Sequence, residues 1–203
     1  MRLPPFTGAL KMEKPQSAKP NMGTDLGLSA EEKEQLRELA FQAIRCRCLG
    51  LAMPDVEVES ARLKEPGAAF VCIHKGPELR GCIGMIEARA PLCDTVKRMA
   101  VEAAFGDLRF CSITSGDLEG IDIEISVLTP MRRIGDPSEI EIGKHGLLIR
   151  KGFHTGILLP QVALEHNWDR EEFLKWTCRK AGLPDRTWKS GETEIYVFSA
   201  DVF

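Results

Sequence analysis

The sequence predicts the α+β class, with a mainly antiparallel sheet flanked by helices. Three observations carry that expectation. Apolar runs of period two come in hairpin-like pairs, amphipathic stretches with capping signals interleave with them, and no regular βαβ unit or internal repeat organises the chain. At 203 residues the chain can bury one core, or one core with a small appended lobe.

Residues 1–27 hold Pro4, Pro5, Pro15 and Pro20 and little periodic apolar content, which reads as a flexible tail. The folded domain then spans 28–203. Ser29 followed by Glu32 forms a capping box, and Leu36, Leu39, Ala40, Ala43 and Ile44 fall on one helical face before a stop at Gly50. From Ala68 the period changes to two. "AAFVCIH" and "LRGCIG" flank Lys75-Gly76-Pro77-Glu78 as a hairpin, whose tight turn would set Val71 opposite Cys82. Pro91 opens a second helix carrying Leu92, Val96, Met99 and Ala103 on one side. "FGDLRF" is an irregular turn. "IDIEISVL" alternates strictly, with Ile121, Ile123, Ile125 and Val127 on one face and Asp122, Glu124 and Ser126 on the other. "HGLLIRKGFHTGILL" repeats the hairpin pattern with Gly152 and Gly156 as breakers. Pro160 starts a short helix, and Asp169 with Glu172 caps another that ends at Gly182. "EIYVFSADVF" closes the chain as a last strand.

Composition narrows the function classes. A formal charge of −3, with Lys and Arg dispersed, gives no basic field for nucleic acid. No apolar run has the length of a membrane span, and the N-terminus has no signal-peptide core. The seven cysteines are odd in number and lie in apolar segments, which suits reduced thiols in a cytoplasmic protein. None has C-x-x-C spacing, and the four histidines lack i, i+4 spacing, so no metal site is predicted.

The stretch "LRGCIG" raises the chemical question. Glycines inside an apolar strand mark a bend or a close approach, so Gly81 and Gly84 are candidates for contact with a ligand or another backbone. Cys82 between them is the leading candidate nucleophile, with Arg80 as the cation that lowers its pKa or anchors an anion. The alternative is a small buried hydrophobe in a bent strand, the commoner place of a free cysteine. For a base, His74 falls on the opposite face from Cys82 unless a bulge intervenes at Gly81, whereas His145 stands at a strand entry. Glu124 and Ser126 face either solvent or a lined cleft, where Glu124 would orient a base and Ser126 would contact a ligand.

"LRGCIG" (79–84), "PL" (91–92), "AVEAAFGDLRF" (100–110), "IEISVL" (123–128), "HGLLI" (145–149), "GILLPQVALEHNW" (156–168) and "KAGLPDRTW" (180–188) occur in that order. Together they resemble the AMMECR-domain family, also described as protein A of the AmmeMemoRadiSam system, over about residues 30–203. The resemblance implies a larger and a smaller lobe around an antiparallel sheet, and genomic company with a Memo-like protein and a radical-SAM enzyme. It implies no settled reaction and no cofactor, and it puts functional suspicion on a pocket near "LRGCIG". Where family members often read "DPRF", this chain has Asp107-Leu108-Arg109-Phe110, a less rigid turn. Two functions compete: an enzyme, or part of one, with Cys82 as nucleophile and His145 as base, and a non-catalytic binding or adaptor module using the same surface. RNA binding ranks below both, given the charge and the single tyrosine.

Overall fold

The computed structural model describes residues 24–53 and 58–203. The first 23 residues of the expected tail lie outside the described residues. The last of the expected tail belongs to the body: Thr24 donates its N–H to the Ala200 carbonyl at 2.8 Å, and Leu26 donates to the Asp201 carboxylate at 3.2 Å.

The first lobe begins with α1 (Ala30–Cys48). Its capping box forms as the sequence predicts, with Ser29 and Glu32 each accepting from the other's backbone N–H. That satisfies two of the orphan donors at the helix start. The predicted apolar face is buried, and Gly50 at φ +64° ends the segment. Strands β1 (Ala68–Lys75) and β2 (Glu78–Met85) form the hairpin, followed by α2 (Leu92–Phe105) and β3 (Ile121–Leu128).

The second lobe holds β4 (Arg132–Ile134), β5 (Gly146–Lys151), β6 (His154–Leu158), α3 (Pro160–Glu165), α4 (Arg170–Lys180) and β7 (Glu194–Phe198). Asp169 caps α4 by accepting from the Glu172 N–H at 2.8 Å, and Gly182 at φ +72° follows its end. The final strand β8 (Ala200–Val202) returns to the first lobe.

The fold is α+β as predicted, with two antiparallel four-stranded sheets, ordered β2-β1-β3-β8 and β4-β7-β5-β6. The expected continuous strand "EIYVFSADVF" is therefore a correction. It breaks at Ser199, with β7 in one sheet and β8 in the other. Leu36, Leu39, Val71, Ile73, Val96, Ile123 and Ile125 form the first core between its sheet and the helices α1 and α2. Phe173, Leu174 and Cys178 of α4 pack on Leu147, Ile149 and Val197 to form the second. A third cluster, Ala68, Leu128, Leu159, Phe198 and Ala200, joins the lobes.

Gly156 is also a correction. It does not break β6 but lies within it, where a Cβ would stand 2.4 Å from the Ala181 backbone nitrogen. The glycine lets the end of α4 rest on the strand.

Candidate functional site

The hairpin register decides where Cys82 points. Lys75 pairs with Glu78 and His74 with Leu79, but Ile73 then pairs with Gly81 and Cys72 with Cys82, leaving Arg80 as an extra residue. The expected Val71–Cys82 pairing is thus corrected by one position, because a single bulged residue moves every later side chain to the other face. The bulge also puts His74 on the same face as Cys82, where an unbroken ladder would have separated them. Cys82 forms a disulfide with Cys72 directly across the strands, Cα–Cα 4.1 Å.

That sheet face changes from dry to wet along its length. Phe70, Gly84, Ser126 and Val202 share a cross-strand row, and Phe70 and Val202 pack against the cluster that joins the lobes. Ser126 is buried there, its hydroxyl without a hydrogen-bond partner among the described residues. The next row, Cys82, Cys72 and Glu124, is partly open. Beyond it His74 pairs with the exposed Asp122. The polar face of β3 is therefore wet at one end only.

The two glycines of "LRGCIG" serve packing. A Cβ on Gly81 would lie 2.0 Å from the Ala103 carbonyl oxygen of α2, and one on Gly84 would lie 2.1 Å from the Phe70 ring. Arg80 is engaged by Asp117 at 3.4 Å, beside the stronger Lys75–Asp117 pair at 2.7 Å. The Lys75 ammonium, with the Thr114 hydroxyl and backbone N–H, holds Asp117 below the usual carboxylate range.

β2 is an edge strand, yet at Cys82 its open edge is occupied. The Cys82 N–H donates to Asp107 Oδ2 at 3.0 Å, and Arg109 Nη2 donates to the Cys82 carbonyl at 3.2 Å. Because those groups point outward, Cys72 and Cys82 form a non-hydrogen-bonded pair, the closer of the two antiparallel pair types. Asp107 also accepts from Arg109 Nε at 2.9 Å and from Nη2 at 2.7 Å. The Arg109 hydrogen bonds, with the Cys82 N–H, hold the buried Asp107 carboxyl below the usual carboxylate range. Leu108 between them is fully exposed, so the departure from "DPRF" leaves this clamp intact. Sequence reasoning noted the turn but not its grip, and it overlooked Cys72 altogether. The spacing gave no signal for Cys72: an unbroken ladder from the Lys75–Glu78 turn would have set Gly81 opposite it, and only the bulge brings Cys82 there.

The suggested Cys82–His145 dyad is not assembled. His145 belongs to the second lobe, where its Nδ1 accepts from the Glu141 N–H at 3.1 Å and the residue is buried. Burial pushes its pKa down, which favours the neutral ring. Glu124 lies beside Cys72 in register.

A cleft of about 380 Å³ opens between the lobes. Pro66–Ala68 and Ile86–Ala88, which flank the open end of the hairpin, line one side, and Thr129 to Met131 line its base. Leu148, Arg150 and Tyr196 of the second lobe line the other. The Arg150 guanidinium lies 5.7 Å from the Tyr196 ring centre, and no ion pair engages it among the described residues. The Tyr196 hydroxyl donates to Glu194, whose other carboxylate oxygen pairs with Arg133. None of Cys82, His145, Glu124 or Ser126 lines this cleft.

A model of the AMMECR1 family matches residues 37–203. The chain belongs to the AMMECR1 family. Among similar AMMECR1-type relatives, a Methanopyrus kandleri protein is 43% identical over 185 residues, covering 87% of this chain and 89% of its own. A Methanothermobacter thermautotrophicus protein is 40% identical over 185 residues, covering 87% and 95%. The crystal structure of an uncharacterized Pyrococcus horikoshii protein superposes with a TM-score of 0.82 at 34% identity, over 86% of this chain and 92% of that one. Among the described residues, no helix of this AMMECR1 protein is long and apolar enough to cross a membrane.

Proposed function

We propose that the chain binds a small organic anion in the inter-lobe cleft, as a component of an enzyme system with a radical-SAM enzyme and a Memo-like protein. The observation that carries this reading is Arg150: a guanidinium in a concave, largely apolar site, backed by an aromatic face and free of an ion-pair partner among the described residues. Sites of this size with apolar walls and few polar groups are the usual form of small-molecule pockets. A planar guanidinium recognises carboxylate or phosphate through paired hydrogen bonds. The apolar walls, Leu128, Met131 and Leu148 among them, suit a flat hydrocarbon body. Among the described residues of the lining, Glu87 is the one carboxylate and no histidine or cysteine accompanies it, so binding, rather than a reaction performed by this chain alone, is the function assigned. The partners rest on the family resemblance.

A thermal-shift comparison of benzoate, phenyl phosphate and inorganic phosphate tests the binding. The aromatic anions should raise the melting midpoint in proportion to the logarithm of concentration, as selective binding to the folded state requires. Arg150→Met should abolish that rise while leaving the unliganded midpoint close to wild type. Equal shifts in wild type and variant would sink the assignment.

A further inference from the structure

We propose that Cys72 and Cys82 form a reversible dithiol–disulfide site on the half-open face of the hairpin, opened by an external dithiol. The inference does not depend on the cleft binding a ligand. It begins with register. Only the extra residue at Arg80 brings Cys82 opposite Cys72; without it Cys82 would pair with Val71 on the buried side. A bulge that re-aims one side chain is a common device near reactive sites.

Access comes next. Cys82 is half-buried, in the row between the dry Ser126 end and the wet Asp122 end of the face. Cys72 is less exposed. An incoming sulfur therefore meets Cys82 first.

The rest of the cysteine inventory separates a reversible bond from a permanent staple. Cys46, Cys48, Cys93, Cys111 and Cys178 are unpaired, and Cys111 is exposed. A chain that keeps an exposed free thiol suits a reducing setting, where a lone disulfide cycles. The hairpin also has other restraints. β1 pairs with β3 along its full length, and Asp107 and Arg109 hold the Cys82 backbone. Opening the bond thus leaves Cys82 in place.

The exchange balances as follows. A thiolate of the dithiol attacks Cys82 Sγ, forming a mixed disulfide, and the Cys72–Cys82 bond breaks with its electron pair on Cys72 Sγ, which takes up a proton. The second thiolate of the reductant then attacks its own sulfur in the mixed disulfide and releases Cys82 as a thiolate. The dithiol loses two electrons and two protons; the protein takes both electrons and, at Cys72, one proton, and the other proton goes to solvent until the Cys82 thiolate is protonated.

Two-stage labelling of the full chain tests the proposal. Protein purified without thiols in air-saturated buffer receives iodoacetamide, then dithiothreitol without denaturant, then N-ethylmaleimide, with mass spectrometry read residue by residue. Cys111 should take the first label. Cys72 and Cys82 should appear as a linked peptide that is lost on dithiothreitol treatment, with Cys82 taking the second label while the circular dichroism spectrum is unchanged. In Cys72→Ser, Cys82 should take the first label. The proposal is overturned if wild-type Cys82 takes the first label, or if the linked peptide survives dithiothreitol until the chain unfolds.

Discussion

At Cys82 the backbone is held as firmly as the side chain, and the holder is Asp107. One carboxylate gathers the Cys82 N–H and the backbone and guanidinium N–H groups of Arg109, while Arg109 returns a bond to the Cys82 carbonyl. Replacing Asp107 with asparagine removes the charge and turns an amide donor toward other donors. Leaving such groups unmatched in a buried position costs about 1–3 kcal/mol. The pH dependence follows from the direction of the shift. Because the folded state depresses the Asp107 pKa, the stabilisation is fully present above the ordinary aspartate value of about 3.9 and is lost as pH falls toward the folded value. Melting curves of wild type and Asp107→Asn should therefore differ by a constant interval at neutral pH, and the interval should narrow below pH about 4. A constant gap through the acid range would mean that the ionised carboxylate is not what stabilises the turn.

Strands and helices in this chain meet through glycine, and the two hairpin glycines face different obstacles. Gly81 lies under the Ala103 carbonyl of α2 and Gly156 under the Ala181 backbone at the end of α4, so an added methyl meets main chain that cannot rotate away. Gly84 lies under the Phe70 ring, a side chain able to move. Gly81→Ala and Gly156→Ala should each lower stability by about 1–3 kcal/mol or more, Gly84→Ala by less, and the open Gly191→Ala hardly at all. Chemical denaturation of the four variants gives the order; equal losses at Gly81 and Gly191 would refute the close-approach argument. The same elements show what was legible in advance. Both capped helices were, because Ser29 with Glu32 and Asp169 with Glu172 act within one turn of chain. The Lys75–Glu78 turn was also legible. The bulge at Arg80 was not, since its cause lies in helix α2 packed on Gly81 and in the turn at Asp107, both far along the sequence. The cleft was invisible for the same reason: Arg150 and Tyr196 meet Pro66 and Glu87 only after two sheets have formed.

The two lobes are tied where the chain crosses between them. Residues 129–131 lead out of the first lobe and Ser199 leads back. The crossings bond to each other, Thr129 N–H to the Ser199 carbonyl at 2.9 Å and Ser199 N–H to the Thr129 hydroxyl at 2.8 Å. The run "EIYVFSADVF" holds no glycine or proline to mark a break, which is why the division at Ser199 could not be read from pattern alone. Phe198, the last residue of β7, is buried in the cluster shared with Ala68, Leu128 and Ala200, and a Cβ on Gly146 would stand 2.4 Å from its ring. The lobes should consequently unfold together, and two probes distinguish them. All three tryptophans, Trp168, Trp176 and Trp188, belong to the second lobe. Far-ultraviolet circular dichroism is weighted to the first, where α1 and α2 supply 19 and 14 helical residues against 6 and 11 in α3 and α4. In wild type the fluorescence and circular dichroism transitions should coincide, the mark of one cooperative unit. Phe198→Ala removes a buried ring at a cost of about 3–5 kcal/mol, borne mainly by the second lobe and the junction. Its fluorescence transition should move to lower denaturant than its circular dichroism transition. Coincident curves in the variant would show that the lobes are coupled by contacts other than this cluster, with the paired crossings at Thr129 and Ser199 the remaining physical link.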